Sequence, residues 1–257
     1  RKKHKVRVVA NYLQYNWDYE KHLKRSQFYK NLFDQEIKFM RPKQNGSWIS
    51  PFLPNDVTFH FTEANAWQYT FFVPHDVSGM ISLYGGNKEF TDKLDGLFTA
   101  DSSLAGRNQV DITGLIGQYA HGNEPCHHIP YLYSFTQQKW KGEQRIRQIR
   151  ETMYRNGPDG LAGNDDVGQM SAWYVFSALG FYPVNPASGE YVLGTPLFDK
   201  VSLDVGKGKQ MIVSQSGEKQ GYVKQVLLNG KPIKGHSITH QQLIAGGELH
   251  FVLAAHQ

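Results

Sequence analysis

The hydrophobic pattern of this chain changes character once, near residue 188, and that single switch limits the folds open to it. From about residue 5 to 180, apolar residues recur at mixed three- and four-residue steps among charged ones, the pattern of amphipathic helices. From there to residue 257 they come in short runs bounded by turn residues, the pattern of strands. The expectation is a mainly α protein with a C-terminal β part: a helical portion over 1–187 and a small antiparallel sheet or sandwich over 188–257, packed on the helices.

The first helical stretch carries Leu13, Trp17, Leu23, Phe28, Leu32, Phe33 and Ile37, and stops at Pro42 and the turn Gln44-Asn45-Gly46. Further helices are expected over 63–72, 76–84, 88–98, 128–137, 139–155 and 167–181, separated by Gly, Pro and Asn. That many helices without intervening strands points to a helical layer or toroid. The last is apolar nearly all round from Met170 to Pro183, which predicts burial on several sides. Strands are expected at 191–193, 201–203, 211–213, 223–228 and 249–253, with Asn229-Gly230 as a type I′ hairpin turn.

Composition excludes several classes. With 40% hydrophobic and 13% aromatic residues the chain can fill a large core, so it is not disordered. It contains no run of about 18 apolar residues, so no helix spans a membrane. The net charge of +5 comes from basic residues spread thinly, except at 1–7 and 139–150. These read as a helix end and a solvated face, and without a recognition module they do not make a nucleic-acid surface. The single Cys126 excludes an internal disulfide or a thiolate zinc cluster. The opening RKKHKV lacks both Met and an apolar signal core, so the chain is expected to be part of a longer polypeptide, with any export signal upstream.

Three acidic clusters each sit at an expected loop-to-helix junction beside aromatic or glycine residues: Thr62-Glu63 to Tyr69, His121-Gly122-Asn123-Glu124-Pro125-Cys126-His127-His128, and Gly163-Asn164-Asp165-Asp166 to Met170. Taken singly, Thr62, Asn164, Asp165 and Asp166 are good capping residues. Taken together, the clusters meet the needs of glycoside hydrolysis, which uses one carboxyl as acid for the leaving oxygen and another as base toward water. Glu63 precedes Trp67 by four residues, so on a helix the indole can cover and desolvate it; it is assigned as the acid. Asp166, between glycines and in front of a helix N-terminus, is assigned as the base. His121, Glu124, His127 and His128 lack zinc-site spacing, since neither H-E-x-x-H nor H-x-x-E-H is present. Asn123, Glu124, Asn164 and the nearby carboxylates are hard oxygen donors that suit calcium.

The runs TEANAWQYTFFVPHDVSGM, HGNEPCHHIPYLY and GNDDVGQMSAWYVFSALGFYPVNPASGEYVLGTPLFDKVSL resemble the family-92 glycoside hydrolases, which are calcium-dependent, inverting exo-α-mannosidases. The resemblance implies the C-terminal part of that family's catalytic region: a partial (α/α)6 toroid followed by a β part, with an N-terminal β-sandwich supplied elsewhere in the same polypeptide. It implies Glu63 as general acid and Asp166 as base. The first position of the acidic triplet is Asn164 here, where other members carry Asp, so a helper carboxylate is either absent or supplied by Asp165. Asn123 and Glu124 are the implied calcium residues, and Trp67, Gln68, His121 and Asn164 the expected sugar contacts. Trp48 and Tyr69 are further stacking candidates. The implied substrate is a terminal α-linked mannose, α-1,2 foremost, of a glycan met outside the cytoplasm, hence a periplasmic or secreted protein. The competing expectation is a non-catalytic carbohydrate-binding or structural portion of a larger mannosidase.

Overall fold

The computed structural model describes residues 16–255; Leu13 and the basic run 1–7 lie outside the described residues. Helix α1 (Asn16–Arg25) is shorter than its apolar pattern, which continues to Ile37. Instead, a 3-10 turn at Phe28–Leu32 leads into a two-residue ladder pairing Phe33–Asp34 with Phe39–Met40. The reason lies in Asp34. Its Oδ1 accepts from Glu36 N at 3.0 Å and its Oδ2 pairs with Arg41 at 3.0 Å, which bends the backbone into a turn closed by Lys38 at φ 57°. The helix itself ends at Arg25, and this half-buried ion pair holds the last part of the apolar pattern, residues 33–41, in a turn.

The stretch expected to be helical at 63–72 contains only the short α2 (Ala66–Tyr69). Helices α3 (Val77–Tyr84), α4 (Asn87–Thr99), α5 (Lys139–Thr152) and α6 (Gln169–Ala178) follow the expected segments closely. The 128–137 segment is a 3-10 helix over Ile129–Phe135, where Pro130 withholds a donor at the first turn. Helix α6 buries Met170, Trp173, Ser177 and Ala178, but Ser171 and Val175 lie exposed on its other side. Burial on several sides is therefore not what the described residues provide.

Strands β1 (Phe181–Tyr182), β2 (Glu190–Leu193), β3 (Lys200–Asp204), β4 (Gln210–Gly217), β5 (Tyr222–Leu228), β6 (Lys231–Pro232) and β7 (Ser237–Thr239) are followed by α7 (His240–Ile244) and β8 (Gly247–Ala254). They form a three-stranded sheet ordered β7-β2-β1 and a five-stranded sheet ordered β3-β4-β8-β5-β6. The larger sheet is mixed, not antiparallel as expected: β8 inserts between β4 and β5, runs antiparallel to β5, and so lies parallel to β4. Asn229 (φ 51°) and Gly230 (φ 74°) form the expected tight turn, with Leu228 opposite Lys231.

Two apolar clusters hold these parts. One joins the helices through Phe71, Phe90, Leu94, Leu97, Tyr131 and Trp173, and the other lies under the sheet around Met211, Val213, Leu249 and Phe251. Phe176 of α6 packs against both. At a bulge in β5, Val223 N donates to the buried Glu143 Oε2 at 2.9 Å and Val223 O accepts from Lys139 Nζ at 2.7 Å, fastening α5 to the sheet.

Candidate active site

The three acidic clusters come together because short backbone ladders cross beneath them. Leu115–Ile116 pairs with Tyr119–Ala120, and the pairing continues as His121 N to Gly114 O and Gly122 N to Thr113 O, each 3.1 Å. At that crossing a Cβ on Gly163 would lie 2.8 Å from Gly122 O and 2.9 Å from Gly122 Cα. Glycine at 163 lets the segment leading to Asp166 pass this close over the segment leading to Glu124.

Glu63 stands on a bend before α2, not on a helix, so Trp67 does not lie one turn above it. Capping of α2 falls to Asn65, whose side chain accepts from Gln68 N, and not to Thr62. Asn65 Nδ2 in turn donates to Gln118 Oε1 at 2.9 Å, and Gln68 Nε2 donates to Gln118 O at 3.2 Å. Gln118 Nε2 donates to the carbonyls of Asp101 and Ser103. This buried amide hub fixes the platform from which Glu63 projects, half-buried. The Trp67 indole turns toward α4: it meets Phe39 edge-on at 4.7 Å, lies against Gly96, and has Lys93 Nζ over its ring. Trp48 is likewise occupied, with Lys43 Nζ 3.9 Å from its ring centre. Tyr69 is the aromatic residue beside Glu63. Its phenol is pushed up by burial and then by the Glu63 charge, and it hydrogen-bonds Thr62.

Glu124 is where the clusters meet. It is half-buried, hydrogen-bonds the Asp166 side chain, and feels the charges of both Asp166 and Glu63. Burial first, then the Asp166 hydrogen bond and the two like charges, hold the Glu124 carboxyl above its ordinary value. Asp166 itself is exposed, in a run of left-handed backbone: φ is 48° at Asp166, 57° at Val167 and 89° at Gly168. A β-branched residue in that region is strained. Asp165, its neighbour, accepts Ser171 N on Oδ1 at 2.9 Å and Met170 N on its carbonyl at 3.1 Å, capping α6.

Behind the carboxyls lies a layer of buried neutral histidines. The His127 ring nitrogens have one consistent assignment: Nε2 donates to His121 O at 2.9 Å, and Nδ1 accepts from Gln169 Nε2 at 3.3 Å. Gln169 Nε2 also reaches Tyr182 OH at 3.3 Å, and Trp173 Nε1 donates to His127 O at 2.9 Å. His128 Nε2 donates to Phe71 O at 2.8 Å. Burial drives both rings down to about 4. His121 is fully buried and lies well below its ordinary value for the same reason, with the His127 charge adding to it. It bonds Tyr119 OH at 2.8 Å and Tyr154 OH at 2.7 Å; Tyr154 donates onward to Met170 O, so His121 Nε2 carries the hydrogen. Tyr182 is pushed up to about 12 by burial first, and its phenol senses Glu124.

The expected residues therefore divide. Glu63, Glu124 and Asp166 converge; Asn164, Asp165 and Asp166 are exposed. Gln68, His121 and Asn123 lie buried behind the surface, at no more than 2% exposure, and Trp67 faces α4. Sequence reasoning did not single out Tyr182, Gln118, His127 or Gln169 as site residues. His127, Gln169 and Tyr182 sit inside the quoted motifs; that placement was the one available signal for them.

Three separate loops thus deliver carboxyl groups to one aromatic-sided surface. The chain belongs to glycosyl hydrolase family 92: the model of that family's catalytic domain matches residues 2–255. A GH92 α-mannosidase from Bacteroides thetaiotaomicron, solved with mannoimidazole, is similar at 38% identity with a TM-score of 0.87, over 96% of this chain and 34% of that one. A GH92 inverting mannosidase from Bacteroides thetaiotaomicron VPI-5482 is similar at 35% identity and TM-score 0.83, over 96% and 35%. An uncharacterized secreted glycosidase from Arthroderma benhamiae is 27% identical over 92% of this chain and 32% of its own length. The chain spans about a third of the length of these relatives.

Proposed function

We propose that this chain carries the acid and base of an exo-α-mannosidase that removes terminal α-linked mannose, α-1,2 foremost, with inversion. The observation that supports this reading above others is the meeting of Glu63, Glu124 and Asp166, from three distant segments, in a chain of this family. Glu63 protonates the leaving oxygen, and Asp166 takes a proton from water attacking the opposite face of the sugar. Tyr69, beside Glu63, offers the sugar an aromatic face. In this reading the partial (α/α)6 toroid is completed, and an N-terminal β-sandwich supplied, by other parts of a longer polypeptide exported from the cytoplasm.

Calcium, which the family resemblance implies, suits the donor chemistry. Among the described residues no three His, Cys, Asp or Glu side chains are grouped as a metal site. Amide oxygens are what the region offers: Gln68 Oε1, on the helix packed against the Glu124–Cys126 turn, is a buried acceptor without a partner, and the buried Asn123 amide has an unpaired nitrogen. Asn123 and Glu124 would hold the ion, whose charge would grip vicinal mannose hydroxyls. Because burial raises the Glu124 carboxyl and calcium takes its ionised form, calcium uptake is expected to release protons in the range where Glu124 titrates and to tighten as pH rises. Calorimetry in two buffers of different ionisation enthalpy measures that release, and identical heats would count against Glu124 as a ligand.

The deciding experiment is release of mannose from a panel of mannobioses, with and without a calcium chelator. A second reading, a carbohydrate-binding portion without activity of its own, draws on the chain's share of its relatives' length. Mannose bound but never released would establish it.

A further inference from the structure

The strain at Asp166 and Val167 needs something to hold it, and the carboxyl spacing needs something to set it. Both demands converge on Gln169. Its backbone N donates to Asp166 O at 3.2 Å, closing the left-handed turn, while its side-chain Nε2 reaches His127 Nδ1 and Tyr182 OH. His127, buried to 1% exposure, holds the other side: Nε2 to His121 O, at the start of the segment that carries Glu124, and its own carbonyl to the Trp173 indole of α6. Besides the Glu124–Asp166 carboxyl contact, the His127–Gln169 pair ties the two segments directly.

We propose that Gln169 and His127 are positioning residues: they form a polar clamp that fixes the turn bearing Asp166 against the turn bearing Glu124, and so sets where the Asp166 carboxyl stands. The catalytic half of this statement rests on the proposed function; the clamp itself does not. Neither residue is required to touch sugar. The clamp works only if His127 is the Nε2–H tautomer, because Nδ1 must accept.

Gln169→Glu tests it with almost no change of shape, since the carboxylate cannot donate to His127. The expected outcome is kcat lower by about 10- to 100-fold with KM within about twofold, because misplaced carboxyls lose transition-state and not ground-state interactions. Backbone amides 166–170 should exchange faster. Since Asn offers Oδ1 where His127 offers Nδ1, His127→Asn should keep more kcat per folded molecule than His127→Leu, which a purely packing role would not produce. Nitrogen NMR of the unaltered protein reads the tautomer without any variant. A His127 Nδ1–H tautomer overturns the clamp, as does unchanged exchange at 166–170 in Gln169→Glu. An active wild type whose Gln169→Glu variant keeps its kcat overturns the positioning role. A wild type that releases no mannose is a failure of the proposed function alone, and the clamp is then judged on tautomer and exchange.

Discussion

Asp165 and Asp166 are adjacent and differ in use. Asp165 spends one oxygen and its carbonyl on the first turn of α6, while Asp166, rotated by its left-handed backbone, meets Glu124. Asp165→Ala is expected to lower stability by about 1 kcal/mol, the usual worth of a cap, measured by urea unfolding. Asp166→Asn and Glu63→Gln should each cut mannose release by roughly 10²- to 10⁴-fold while leaving the urea midpoint in place. Normal turnover by either would remove the mechanism. From the residues alone, capping and catalysis were both open for this pair; which oxygen binds Ser171 N, six residues from its own backbone, is not a local property. The same holds for Trp67. Its spacing from Glu63 suggested a cover for the acid, but Asn65 starts the helix too late for that, and Phe39 and Gly96 offer the indole a closer fit.

At the scale of elements, the site depends on backbones that pass closely and on one strained turn. Gly163→Ala would push a methyl into the Gly122 backbone, and is expected to destabilise the protein by about 1–3 kcal/mol, with activity lost in parallel, as thermal unfolding and mannose release together will show. Val167→Gly has the opposite sign for stability. Val167 is fully exposed, so no packing is lost, and relief of its positive φ should raise stability by about 1 kcal/mol while the looser turn lowers kcat. A Val167→Gly protein no more stable than wild type would argue against strain there. Helices α3 to α6 were legible because their periodicity, caps and breakers agree: Asp76 caps α3 on Gly79 N, and Gly85 ends it at φ 101°. Helix α1 and the parallel pairing of β4 with β8 were not, because a half-buried ion pair holds part of the first pattern in a turn and strand insertion decides the second.

For the whole molecule, the buried histidine layer is an acid liability. The His127 and His128 rings fall from an ordinary 6.5 to about 4 in the folded state, and His121 shifts in the same direction. Folded protein therefore binds fewer protons than unfolded protein, so their contribution is fully present above pH 6.5 and is lost as pH falls through about 4, on the order of 3 kcal/mol for each of His127 and His128. The urea midpoint is expected to drop steeply across that window, and a flat profile would show that these rings are not buried neutral. What the sequence by itself determined was local and additive: the order of elements, the turn at Asn229-Gly230, the family to which the motifs belong, and the three segments that carry carboxyl groups. Short-range sterics and hydrophobic period suffice for those. Only the tertiary structure decided which carboxyl groups meet, which aspartate caps and which faces Glu124, and which histidine nitrogen donates. Desolvation and hydrogen bonding between residues some forty positions apart exist only once the chain has closed on itself.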